Sequence, residues 1–206
     1  MSSPLCGAVG ERMELADYYA DFEKHFWHSA GLGFWKLERG QTFREPGYDS
    51  WRAFARGDWA QSLRLLEAGR ADMAEYHRRI DRHGFAARRV RVVEEPLSAY
   101  MQWELHALRV RDECGGPVHV IGADRVARFE TEDPLPEIYT LGSQVAYRAV
   151  YDDEGVLESA RKFTDPELVL RCQEFIENLY DTGEPLAGWF AGHVAPLPPP
   201  PGQARA

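Results

Sequence analysis

Apolar residues recur along this chain with two distinct periods, and the switches between them mark out its elements. From Met13 to His28, Leu15, Tyr18, Tyr19, Phe22 and Phe26 fall at helical spacing, which predicts a helix over that span. Gly31–Glu38 (GLGFWKLE) predicts a short strand, and the turn-forming residues of QTFREPGYDS predict a loop. A short helix from Trp51 leads to Gly57-Asp58, where Asp58 is placed to cap a second helix, with Gln61 in the capping-box position. That helix carries Trp59, Leu63, Leu66, Met73 and Ile80 on one stripe and stops near His83-Gly84, with Gly69 as the point where it kinks or divides.

The period then changes to two. In RRVRVVEEP, Val90 and Val92 alternate with Arg89 and Arg91, the pattern of a half-buried strand. Pro96 suits the first turn of a following helix. Leu97, Met101, Leu105 and Leu108 form one stripe of that helix and Tyr100, Trp103 and Val110 a second, which predicts a place at the centre of the core. Gly115-Gly116 ends it. VHVIG predicts a strand, DRVARFE leaves its type open, and EIYTLG, QVAYRAVYD and VLESARKF predict three more strands. Asp152-Asp153-Glu154-Gly155 makes a hairpin turn between the last two. Thr164 or Asp165 caps a final helix with Pro166 in its first turn, Leu168, Cys172, Phe175 and Leu179 on its stripe, and Gly183 at its stop.

Helices and strands are mixed without strict alternation. The expected fold is therefore α+β: a single domain over residues 13–187, with a mixed or largely antiparallel sheet and a C-terminal hairpin packed against several helices, not a doubly wound parallel sheet. Residues 1–12 are expected to be a flexible N-terminus. The segment from 188 to 206 (GWFAGHVAPLPPPPGQARA) is proline-rich without hydrophobic period, and is expected to be a flexible tail with polyproline II character.

Composition narrows the function classes. In 206 residues, 24 Lys and Arg stand against 33 Asp and Glu, a net charge of -9, with a sequence pI near 5.3. That balance argues against direct nucleic-acid binding. No apolar run approaches the roughly 20 residues of a membrane span, so no membrane partner is expected, and the N-terminus lacks the pattern of a secretory signal. Cys6, Cys114 and Cys172 lie far apart with no CxxC, which points to a reducing cytoplasm and to no disulfide framework or zinc ribbon. Charge is uneven: Arg70–Arg91 carries seven arginines against three acids, whereas Phe129–Glu184 carries fourteen acids against four bases. Such asymmetry permits internal pairing or an oppositely charged partner.

Searches for chemistry return little that is specific. There is no GxSxG elbow and no GxxxxGK[ST], and Gly31-Leu32-Gly33 meets Lys36 where a dinucleotide fingerprint needs its third glycine. His25 and His28, one helical turn apart with Asp21 and Glu23 nearby, make half a metal site at most; packing or surface histidines are the simpler account, and neither metal nor cofactor is expected. Arg89 and Arg91 share a strand face about 7 Å apart, a spacing that suits bidentate grip of a carboxylate or phosphate. Glu94, Glu95 and Glu104 follow closely, so the pair reads first as a structural arginine–glutamate network and second as a ligand clamp. Tyr100, Trp103, Tyr139, Tyr147 and Tyr151 add rings and hydroxyls suited to a small organic ligand, with Tyr147 and Tyr151 on one face of the hairpin strand. The candidate ligand-binding set is therefore Arg89, Arg91, Glu94, Tyr100, Trp103, Glu104 and Tyr147.

The segments FWKLERGQTFREPG, WRAFARGDW, RRVRVVEEPLSAYMQWELHAL and VAYRAVYDDEGVLESARKFTDPELV resemble the actinobacterial domain-of-unknown-function family DUF6879, over about Tyr18 to Leu186. Genes of such families often neighbour XRE-type helix-turn-helix regulators, so the resemblance implies a regulatory or accessory role and supplies no catalytic residues. Two readings follow. One is a non-enzymatic regulatory module binding a partner protein, such as a helix-turn-helix regulator, with room for a small ligand. The other is a small enzyme or ligand-binding protein acting on an anionic metabolite through an Arg/Glu/Tyr pocket.

Overall fold

A computed structural model describes residues 3–130 and 133–201. The first elements are β1 (Glu11–Glu14), α1 (Leu15–Phe26) and β2 (Phe34–Glu38). Three helices follow, α2 (Asp49–Ala55), α3 (Trp59–Ala68) and α4 (Arg70–Arg82), then β3 (Ala87–Val93), α5 (Ala99–Glu113) and β4 (Val118–Gly122). A short α6 (Ala123–Val126) with a 3-10 turn precedes β5 (Ile138–Leu141), β6 (Val145–Tyr151) and β7 (Leu157–Phe163). The chain closes with α7 (Pro166–Thr182), β8 (Glu184–Pro185) and α8 (Leu186–His193).

Local chemistry sets many of these boundaries. The Asp58, Ser98 and Asp165 side chains accept from the backbone N–H groups of Gln61, Met101 and Leu168, satisfying donors that the first turns of α3, α5 and α7 would otherwise strand. Gly69 divides the long predicted helix into α3 and α4. Gly115, at φ +102, takes the left-handed turn that stops α5.

All strands join one mixed sheet in the order β1-β7-β6-β5-β2-β3-β4-β8. β2, β3 and β4 are parallel neighbours, with Leu37 beside Val90 and Arg91 beside Val120, and helical crossovers connect them. The other pairings are antiparallel. The α+β single domain with its mixed sheet and C-terminal hairpin is thus as the sequence led us to expect. On one face, Val169, Cys172 and Ile176 of α7 pack on Trp35, Leu37, Val90, Val92 and Ile138. On the other, α1 lays Tyr18 and Phe26 over Tyr139 and Tyr147, while Met101, Leu105 and Leu108 of α5 cover Val118 and Val120 beside α8. α5 buries eight residues and is the central helix anticipated from its two stripes.

Four expectations are corrected. The first helix begins at Leu15, because Glu11–Glu14 pairs with β7 (Glu11 with Lys162, Met13 with Ala160) and satisfies a sheet edge instead. The N-terminal segment is also anchored further out, since Leu5 is buried in the α7 core. Pro96 lies before α5, not in its first turn, because Ser98 supplies the capping oxygen. Finally, Leu186–His193 is a helix whose Leu186, Trp189 and Phe190 are buried, with Val194 buried after it. At eight residues it is too short for its apolar positions to show a period, yet they close the outer face of α5. The tail continues to pack, as Gln102 donates to the Pro198 carbonyl at 2.7 Å. Residues 202–206 of the predicted tail lie outside the described residues.

Candidate functional site

β2 and β3 lie side by side, so their same-facing charged residues are forced together beneath α5 and α1. Alternation puts Lys36 and Glu38 on this face, Trp35 and Leu37 on the other; likewise Arg89 and Arg91 oppose Val90 and Val92. Glu137, just before β5, and Tyr139 extend the row.

Two separate arrangements grow from this row. The first is a sealed network. Arg91 is fully buried, and all three of its nitrogens are engaged: Nε donates to Glu104 Oε2 at 2.7 Å, Nη1 to the Glu38 and Val92 carbonyls at 3.1 and 3.0 Å, and Nη2 to the Gly40 carbonyl while also lying 2.7 Å from Glu104 Oε2 in the ion pair. Four of the five N–H groups of the guanidinium are bonded, and with no exposed surface Arg91 offers nothing to a ligand. Burial pushes the Glu104 carboxyl up, Arg91 pulls it down, and the nearby Glu38 and Glu45 add to the net rise.

The second is a cavity of about 180 Å3 between α1, α4 and the last turn of α5, over β2, β3, β5 and β6. Its cations are Lys36, Arg89 and Arg111; its rings include Phe22, Tyr76, Tyr139 and Tyr151. Glu38 answers two of the three, with Oε1 2.6 Å from Lys36 Nζ and Oε2 2.6 Å from Arg89 Nη1. Burial alone would raise the Glu38 carboxyl, but Arg89, Lys36 and Arg91 outweigh it and hold it far below the usual range. Arg111 has no such answer. Among the described residues its recorded polar partner is His77 Nε2, at 3.4 Å. Burial, then repulsion from Arg89, lowers its guanidinium to about 10. Burial, with Arg111 and Arg89 facing it, lowers His77 to about 4, so that ring is neutral.

The remaining predicted residues do not converge on this cavity. Arg89 alone of the candidate set lines it. Glu94 is exposed and pairs with Arg39 at 2.7 Å. The Tyr100 hydroxyl donates to Glu45 at 2.7 Å and Trp103 Nε1 to Ser50 Oγ at 3.0 Å, both inside the aromatic core with Phe54. Tyr147 is fully buried under α1, donating to Asp21 Oδ2 at 2.5 Å. His25 contacts that same Asp21 at 3.5 Å and Gln144 at 3.1 Å, so the half metal site is absorbed by local pairing. Lys36, Glu38, Tyr76 and Arg111 escaped the sequence reading. For Lys36 and Glu38 a signal existed, charges alternating with apolar residues on a strand; for Arg111, in the last turn of a long helix, there was none.

The fold and this face define an α+β protein whose central sheet carries a saturated ion network beside a cation-rich aromatic cavity. The chain belongs to the family described as Domain of unknown function (DUF6879), whose model matches residues 20–191. No curated protein and no solved structure matches it.

Proposed function

We propose that the protein is a non-enzymatic binding module for a small aromatic acid, held in the cavity beneath α1 with its carboxylate between Arg89 and Arg111. The observation that carries this is Arg111, a half-buried cation that forms no ion pair with a carboxylate among the described residues. Buried charges are normally paired, and an anionic ligand supplies the missing partner with charge-assisted bonds. Size narrows the class. A cavity near 150 Å3 admits benzene, so about 180 Å3 fits a single-ring carboxylate and excludes a nucleotide. The surrounding rings supply the stacking walls.

Binding is favoured over turnover by the protonation states. General acid–base work needs a group poised near neutrality. Here the Glu38 carboxyl is held down, burial lifts Tyr18 to about 12 and raises Tyr76, Tyr139 and Tyr151, and Arg111 stays cationic. This keeps the regulatory half of the sequence expectation and moves the ligand grip from Arg89 with Arg91 to Arg89 with Arg111.

The test is thermal unfolding with benzoate and with neutral benzyl alcohol. Benzoate should raise the midpoint, adding about 2.7 kcal/mol of stability at a hundredfold excess over its Kd, and benzyl alcohol should not. Arg111→Met should abolish the benzoate shift. Equal shifts from both compounds, or an undiminished shift in the variant, would refute the assignment.

A further inference from the structure

We propose that a second chamber, at the carboxyl ends of β2 and β3, binds a small organic amine whose ammonium group bonds to Glu137. The chamber measures about 610 Å3, and Glu137, Phe43, Glu94, Asp133, Pro134 and Tyr151 are among its walls. That volume falls in the range of small-molecule sites. Its loops leave the carboxyl ends of two parallel strands, where open α/β sheets place ligands.

Glu137 is 6% exposed. Its Oε1 accepts from the backbone N–H groups of Arg39 and Gly40 at 2.7 and 2.6 Å. Its Oε2, equally buried, has no partner among the described residues. Native proteins leave few such atoms, and each one carries a desolvation cost. Among the described residues no neighbouring cation supplies one: Arg91 is held by Glu104 and three backbone carbonyls, Lys36 by Glu38, Arg39 by Glu94 and both oxygens of Glu130, and the exposed Arg148 on the chamber wall makes no bond to it. The missing donor therefore comes from outside.

The walls indicate what carries it. Phe43 and Tyr151 stack at 4.4 Å and 26°, an aromatic surface of the kind that attracts ammonium groups. Pro134, Pro136, Ala149 and Val150 give a hydrocarbon lining for an apolar body. Among the charged lining residues, Glu94, Asp133 and Glu137 stand against Arg39 and Arg148, leaving the chamber one negative charge in excess. An arylalkylamine matches each of these features. Tyr151 also walls the first cavity, so the two sites adjoin, but the amine site does not depend on the acid site.

The experiment is an amide NMR titration of the full chain with 2-phenylethylamine and, as its neutral counterpart, 2-phenylethanol. The Arg39 and Gly40 amides, bonded to Glu137, are the reporters. The amine should shift both and bind at least tenfold tighter than the alcohol. Glu137→Gln keeps an acceptor for the two amides and replaces Oε2 with a donor, so amine affinity should fall at least tenfold while alcohol binding stays unchanged. Arg111→Met should leave amine binding intact, which separates failure here from failure of the acid site. Equal affinity for amine and alcohol, undiminished amine binding in Glu137→Gln, or silent Arg39 and Gly40 amides would overturn the proposal. Should the variant not fold, the contrast between amine and alcohol on the wild-type chain decides it.

Discussion

Arg111→Met, measured without any ligand, tests the central claim most directly, because an unanswered cation should be a burden on the empty protein. The drop from the usual guanidinium value of about 12.5 to about 10 corresponds to ~3 kcal/mol at about 1.4 kcal/mol per pH unit. Arg111 is only half-buried, and solvent reaching it reduces that figure, so ~1–2 kcal/mol is the working magnitude. Methionine keeps the unbranched stem that packs beside Gly116 and His77 and removes the charge. The sign follows from linkage: a cation whose folded value is depressed binds its proton more tightly in the unfolded chain. Its penalty is fully present at neutral pH and is relieved only as pH rises through about 10 and beyond. Arg111→Met should therefore be more stable than wild type at pH 7, with a urea midpoint displaced upward. Its melting temperature should rise by about 2–8 °C, taking roughly 2–4 °C per kcal/mol for a chain of this size. A variant destabilised by more than ~1 kcal/mol would show Arg111 to be a structural contact, and the anion site would lose its foundation.

Three further outcomes follow from the same geometry. Arg91→Gln should cost about 3–5 kcal/mol by urea denaturation, since it leaves Glu104 buried without its partner; a midpoint like that of wild type would mean the network is open to water. Leu105→Ala should cost about 2–5 kcal/mol in thermal unfolding, as expected for a core leucine with no exposed surface, and a smaller loss would place α5 at the periphery. Burial lowers both His77 and His106 to about 4. In the unfolded chain these rings take up protons near 6.5, so stability should fall as pH drops from about 6.5 towards 4. His77→Asn should flatten that decline in a pH series of denaturant midpoints.

The sequence carried the local architecture because local physics writes it there. The twofold alternation in RRVRVVEEP, the capping residues Asp58 and Asp165, the breaker Gly69 and the turn at Asp152–Gly155 each act within a few residues, and each stands where the pattern placed it. The face shared by Arg89 and Arg91 was legible for the same reason. Their different fates were not. Arg91 lies under Glu104 with all three nitrogens engaged, whereas Arg89 opens onto a cavity beside Lys36 and Arg111, residues 53 and 22 positions away. Strand order sets that difference. Only pairing β2 in parallel with β3 brings Glu38 between Lys36 and Arg89, and only the crossing of α5 over the sheet delivers Arg111 without a carboxylate partner among the described residues. The same holds for β1 and α8, whose few apolar residues gain meaning from a free sheet edge and an uncovered helix. Periodicity specifies which side of an element is buried; which charges meet there, and which is left without a partner, is a property of long-range packing alone.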